Sequence, residues 1–217
     1  MKGLLIKDLR LMLNQKQFFL MIIVIGLIMS LTLSDSGFIS GYVSCVFPLF
    51  TISTISYDEY DNGNAFLFTL PFKRSTYVKE KYVFSIVISL IGMCISLLLV
   101  ILSELTQSGQ FNIVDVLLFQ FNFVPVILLF LSILIPIQLK YGGENARIVL
   151  IGGTASVGII GYLILQLISY LQIDLSQIIY YLSINEYILT IIVILLSLLF
   201  ILLSEKISER IVKNKEF

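Results

Sequence analysis

Not one of the 217 residues is a histidine, and only two, Cys45 and Cys94, are cysteines. Those two lie inside apolar runs without metal-ligand spacing, so they read as small buried apolar residues rather than ligands. Without histidine there is no imidazole for acid–base work, for activating a nucleophile or for holding a metal. A phosphate loop of the form G-x-x-x-x-G-K-[ST] is missing as well. Gly142-Gly143 and Gly152-Gly153 lack the lysine and read as turn and packing glycines. No acid or base falls in the middle of an apolar run, where a proton relay or ion path would need one. These gaps argue against a self-contained enzyme, a nucleotide engine or an ion-coupled carrier. Any uphill work would draw its energy from a partner.

The chain is instead rich in apolar residues, at 58 % of the total with a mean hydropathy of +1.01. Its fourteen bases fall into four clusters: Lys2, Lys7, Arg10 and Lys16; Lys73, Arg74, Lys79 and Lys81; Lys140 and Arg147; and Lys206, Arg210, Lys213 and Lys215. Six runs long enough to cross a bilayer separate them, two between each pair of clusters. Their approximate limits are 18–33, 38–57, 82–103, 116–139, 148–171 and 187–204. The turns near 34–37, 104–115 and 172–186 carry acids (Asp35, Glu104, Asp115, Asp174, Glu186) but no base. Short basic loops stay cytoplasmic. This predicts a multi-pass plasma-membrane protein with six transmembrane helices and both termini cytoplasmic. Fourteen bases against nine acids then face the anionic inner leaflet; nothing points to nucleic acid. The first apolar run follows a charged segment and lacks an A-x-A-like exit, so no cleavable signal peptide is expected. Helices satisfy their own backbone polar groups in lipid. The expected fold class is therefore an all-α integral membrane bundle, one transmembrane domain over 1–217.

Residues 2–17 read as an amphipathic helix. Lys7, Arg10, Asn14 and Gln17 share one face, and Leu5, Leu9, Met12 and Leu13 the other, as in a helix lying in the headgroup plane. A cytosolic extension of the first span fits the same pattern. Small residues recur at helical spacing: Ser85, Ser89, Gly92 and Ser96 in the third run, Gly26 and Ser30 in the first, Gly37 and Gly41 in the second, Gly152 and Ser156 in the fifth. Such stripes let helix backbones approach closely; a serine-lined path is the other reading. Asp115 and Asn122 share a face at the outer end of the fourth run. They read as a possible polar vestibule or, since Asp is a strong N-cap, as a cap and interfacial entry. Pro125 and Pro136 are candidate kink sites.

The most informative stretch lies between the second and third runs, Asp58 to Lys81. Asn64 can cap a short helix that Pro71 ends, and Ser75 can cap the next. The short helix offers Phe66, Leu67, Phe68 and Leu70 to a watery compartment. Aromatics at this density mark a contact surface, either with the membrane interface or with a protein groove.

With this stretch the chain resembles the permease subunits of ABC-2 type exporters, in their small bacterial branch. The resemblance covers the whole layout. It is most specific at Glu59, Asn62-Gly63, Phe66-Leu67, Leu70-Pro71, Lys73-Arg74 and Tyr77-Val78 with Lys81. Within that family the sequence is similar to permeases of the staphylococcal phenol-soluble modulin exporter. The resemblance implies a homodimer, or a heterodimer with a sister permease, each subunit gripped by a soluble ABC ATPase that holds the ATP and Mg. It implies that Glu59, Asn62, Gly63, Phe66, Leu67, Phe68, Leu70, Pro71 and Arg74 form an ATPase-coupling loop with a cytoplasmic coupling helix. An uncharged path suits amphipathic or hydrophobic peptides best. Lipid-like molecules, antimicrobial peptides and sodium are other cargoes of the same reading. An autonomous immunity or assembly protein working within the bilayer is the competing one.

Overall fold

The computed structural model describes residues 1–32, 36–60, 63–107, 113–170 and 186–215. They are helical nearly throughout, with no strand among them. In chain order the helices are α1 (Lys2–Asn14), α2 (Lys16–Thr32), α3 (Ser36–Glu59), α4 (Gly63–Leu67), α5 (Arg74–Gln107), α6 (Ile113–Phe121), α7 (Phe123–Tyr170) and α8 (Glu186–Asn214).

Four described stretches are long and apolar enough to cross a membrane: Ser36–Glu59, Arg74–Thr106, Phe119–Gly142 and Ile191–Asn214. The bent pair α1–α2, turning through 63° at Gln15, makes a fifth if taken as one span. The expected fifth run, 148–171, falls in the second half of α7, and Leu171 lies outside the described residues. Asp35 and Asp174 lie outside them too.

The expected fourth run is not one straight helix. At Asn122, between α6 and α7, a single residue leaves the helical pattern and its N–H bonds the Phe119 carbonyl (3.2 Å), although Phe119–Gly142 still forms one apolar stretch. Pro125 follows the break, where a missing N–H costs little in a first turn. Pro136 sits within helix. The sharper discontinuity is Gly142 (φ 77°, ψ 175°), a left-handed backbone that any side chain would resist. It divides α7 into two helical arms.

α5 packs along α3, and the small-residue stripe is why. A Cβ placed on Gly92 would lie 2.7 Å from Phe47 Cβ, so only glycine admits this approach. Ser85, Ser89 and Ser96 are buried on the same stripe and donate to carbonyls of their own helix. The stripe is thus a packing surface inside the bundle. Gly26 does the same for α2, with Leu99 Cδ1 2.7 Å from its would-be Cβ. Gly152 and Ser156 lie among residues whose side chains are outside the described set.

Polar knots hold the helices at fixed register. Ser44 and Ser96 bond each other at 3.0 Å, and Gln120 on α6 donates to both. Tyr82 on α5 bonds Ser204 (2.6 Å) and Ser208 (2.9 Å) on α8, and Ser204 donates to the Ser132 carbonyl of α7. Each bond removes a polar group from an apolar surround where it would otherwise stand unsatisfied. The outward faces of α2 and α8 are aliphatic, as lipid contact requires: Leu20, Met21, Ile28, Leu195 and Leu202 are all exposed. That also corrects the expectation for Cys94, which lies exposed on α5; Cys45 is half-buried. A lipid-facing side need not be polar, so an apolar run does not by itself bury its cysteine.

Candidate functional site

The described loop and its neighbours gather at the end of the bundle that carries the basic clusters. At 1.5 Å per residue, the 34 residues of α5 reach about 50 Å, well beyond a hydrocarbon core of about 30 Å. Its first two turns therefore project past the apolar layer, bearing Arg74, Tyr77, Lys79, Glu80 and Lys81.

Beneath the loop lies an ion network that joins three helices. Lys81, fully buried, places Nζ 2.5 Å from Asp8 Oδ2 on α1 and 2.8 Å from Asp58 Oδ2 on α3, and donates to Thr54 Oγ1 at 3.1 Å. Lys7 bonds the other Asp58 oxygen and lies 3.2 Å from Asp8. Tyr77 donates its hydroxyl to Asp58 (3.1 Å). Two cations thus serve two buried anions, which is the condition under which buried charge is tolerable. Glu80 is buried beside them with neither carboxylate oxygen hydrogen-bonded.

α1 carries a third face that its periodicity did not separate from the other two. Its packed side is centred on Leu4 and Asp8, flanked by Leu5, Leu11 and Met12, while Leu9 and Leu13 point outward. Arg10, Asn14 and Gln17 are exposed as expected, but Lys7 turns into the network. Pairing Asp8 with Lys81 turns that third face to the bundle and leaves Leu9 and Leu13 on the outer side, the side an interfacial helix offers to lipid. A legible signal existed: Leu4, Asp8, Leu11 and Met12 follow i, i+4, i+7, i+8, an acid inside an apolar stripe.

The loop divides its residues between anchoring and display. Asn62 lies outside the described residues. α4 begins at Gly63, whose would-be Cβ lies 2.8 Å from the Asp58 carbonyl oxygen, so a side chain there would collide with backbone. Asn64 is inside the helix rather than its cap, and its carbonyl accepts from Phe68 N–H. Further turns at Thr69 and Leu70 carry the coil to Pro71. Ser75 likewise lies within α5; the Lys73 carbonyl accepts the bonds from Thr76 and Tyr77 that open the helix.

Of the four apolar residues expected to face outward, two do. Phe66 is 72 % exposed and Leu70 41 %, whereas Leu67 is 9 % exposed in the main core. Phe68 packs edge-on against Tyr77 (5.5 Å) with Arg74 over its ring (5.4 Å). A helix this short has no stability of its own, so half of its apolar side chains must hold it to the bundle. Tyr60, just past the end of α3, is likewise outward, at 73 % exposed.

Glu59 and Arg74 are turned toward α8. Lys215 Nζ meets Glu59 Oε1 at 2.9 Å and the Leu139 carbonyl at 3.0 Å. Arg74 Nη1 donates to the carbonyls of Val212, Lys213 and Lys215 at 3.0, 3.0 and 2.8 Å. At the opposite end, Asn122 is exposed at the α6–α7 break, and Asp115 lies on α6 with its side chain outside the described set.

Among the described residues no group of three or more His, Cys, Asp or Glu side chains is arranged to hold a metal ion. A family model described as "ABC-2 family transporter protein" matches residues 3–213. No curated protein and no solved structure matches the chain.

Proposed function

This chain belongs to the ABC-2 family of transporter proteins and is a multi-pass membrane permease of an ABC transporter; from that premise we propose that it serves an ATP-driven exporter of amphipathic or hydrophobic peptides. Permeases of this family work with an ABC ATPase partner. In this reading ATP and Mg are bound by that partner, and the permease acts as a dimer, with itself or with a sister subunit. The four basic clusters favour this end in the cytoplasm, and the resemblance to the small bacterial branch favours a bacterial plasma membrane.

The observation that carries the reading is the split within the loop. Phe66 and Leu70 stand outward, while Leu67 and Phe68 fix the piece that presents them. Exposed aromatic anchors on a rigid base suit a protein groove that accepts a short helix. Peptide cargo is favoured because the described middles of the spans offer serine, threonine and aliphatic side chains rather than charge.

Replacing Phe66 and Leu70 together with Asp tests the loop. Loss of a hot-spot pair costs at least about 2 kcal/mol, or roughly thirtyfold in affinity for the ATPase. The permease should remain folded, because neither side chain supports the core. ATPase affinity and stimulation equal to wild type in that double variant would refute the assignment.

A further inference from the structure

We infer that the end of α8 is a working part of the loop, with Arg74, Glu59 and Lys215 as positioning residues that bind loop and last span into one moving body. The inference rests on the coupling role proposed above and assigns these three residues a task different from touching the ATPase.

Three observations converge. Arg74 is the first residue of α5, and its guanidinium does two jobs at once. It lies over the ring of Phe68, the loop's inner anchor, and donates from Nη1 to three carbonyls at the end of α8. The last carbonyls of a helix have no partner within it, and a cation there also opposes the negative end of the helix dipole. One side chain therefore answers the needs of α8 while gripping the loop. The second tie is independent. Lys215 crosses to Glu59 at the end of α3 and to the Leu139 carbonyl of α7, just before the Gly142 break. Between the two ties Val212 is buried, only 2 % exposed, in the same core as Leu67, Tyr77 and Leu139.

The loop is thus held on its inner side by α8, with α3 and α7 clamped by the same segment. A push on Phe66 and Leu70 would reach α8 directly, without first passing along α5. The charged loop residues Glu59 and Arg74 face this inner seam, while Phe66 and Leu70 face outward with Lys73 exposed as well.

The test uses the full-length permease in detergent, alone and with its co-purified ATPase. The variants are Arg74→Met, Arg74→Lys, Lys215→Met, Glu59→Gln and the double Glu59→Gln/Lys215→Met. In the permease alone, hydrogen exchange of the 63–72 amides should quicken several-fold in R74M and K215M. The double variant should be no faster than the worse of its singles, because both remove one bond. R74K should recover part of the protection. In the complex, the maximal stimulated ATPase rate should fall several-fold at unchanged affinity between the subunits. Exchange at wild-type rates in R74M and K215M would overturn the inference. So would a fall in subunit affinity that accounts for the whole loss, since the side chains would then be contacting the ATPase. If wild-type permease bound no ATPase, the proposed function would fail, while the exchange data on the permease alone would still decide this point.

Discussion

Replacing Lys81 by Met should be among the most damaging single substitutions at the basic end. The methionine keeps much of the stem's volume but withdraws the ammonium from Asp8 (2.5 Å), Asp58 (2.8 Å) and Thr54 (3.1 Å). Asp8 and Asp58 would then share Lys7 alone, and Lys7 already reaches both. Removing one partner of a buried ion pair costs about 3–5 kcal/mol, because the charge left behind is neither hydrated nor compensated. We expect a loss in that range, read as a lowered midpoint when the permease is unfolded by SDS in mixed micelles and followed by circular dichroism. The reasoning has a sharper consequence. Adding Asp8→Asn removes the orphaned anion and leaves Lys7 with Asp58 as a balanced pair. The double variant should therefore be more stable than Lys81→Met alone, by about 1–3 kcal/mol of coupling. A Lys81→Met cost below about 1 kcal/mol, or a double variant whose cost is the sum of its singles, would show that the network does not carry the charge balance assigned to it.

Gly92→Ala should loosen α3 from α5 by about 1–3 kcal/mol, since its methyl would stand 2.7 Å from Phe47 Cβ; the same micelle titration reads it, and an unchanged midpoint would contradict the packing role. Gly142→Ala should cost about 1–2 kcal/mol from the left-handed backbone alone, with its methyl also 3.1 Å from Glu59 Oε2. Cysteine cross-linking between the two arms of α7 should report an altered bend in that variant, and an identical pattern would mean that the break is set elsewhere.

Much of the architecture was legible because lipid leaves few options. Long apolar runs must be helices, and the glycine–serine stripe needed only its spacing to be read as a packing surface. The interruption between α6 and α7 was less legible, because it occurs at Asn122 and not at Pro125 or Pro136. The loop's location could be read from its aromatics, but not which of them faced outward. Leu67 and Phe68 have the same apolar character as Phe66 and Leu70, and only contact with Tyr77 and Arg74 separates them. The ion network was invisible to a search for charge in the middle of spans, since its members lie outside the apolar runs and far apart in sequence. Asp8 to Lys81 is a separation of 73 residues. Glu59 and Arg74 group with the loop by their neighbourhood in the chain, whereas their partners lie at and just beyond the end of α8.

The unbroken length of α5 sets how displacement is distributed. Its first residue adjoins the loop, and its other end lies about 50 Å away across the bilayer. With Gly92 wedged on Phe47 near the midpoint, the helix is a lever with a fulcrum. A shift of about 5 Å at the loop corresponds to a tilt of roughly 11°, and a comparable counter-swing at the far end. In the coupling role proposed above, such a rod would carry a displacement at the loop to the opposite face without a separate connection.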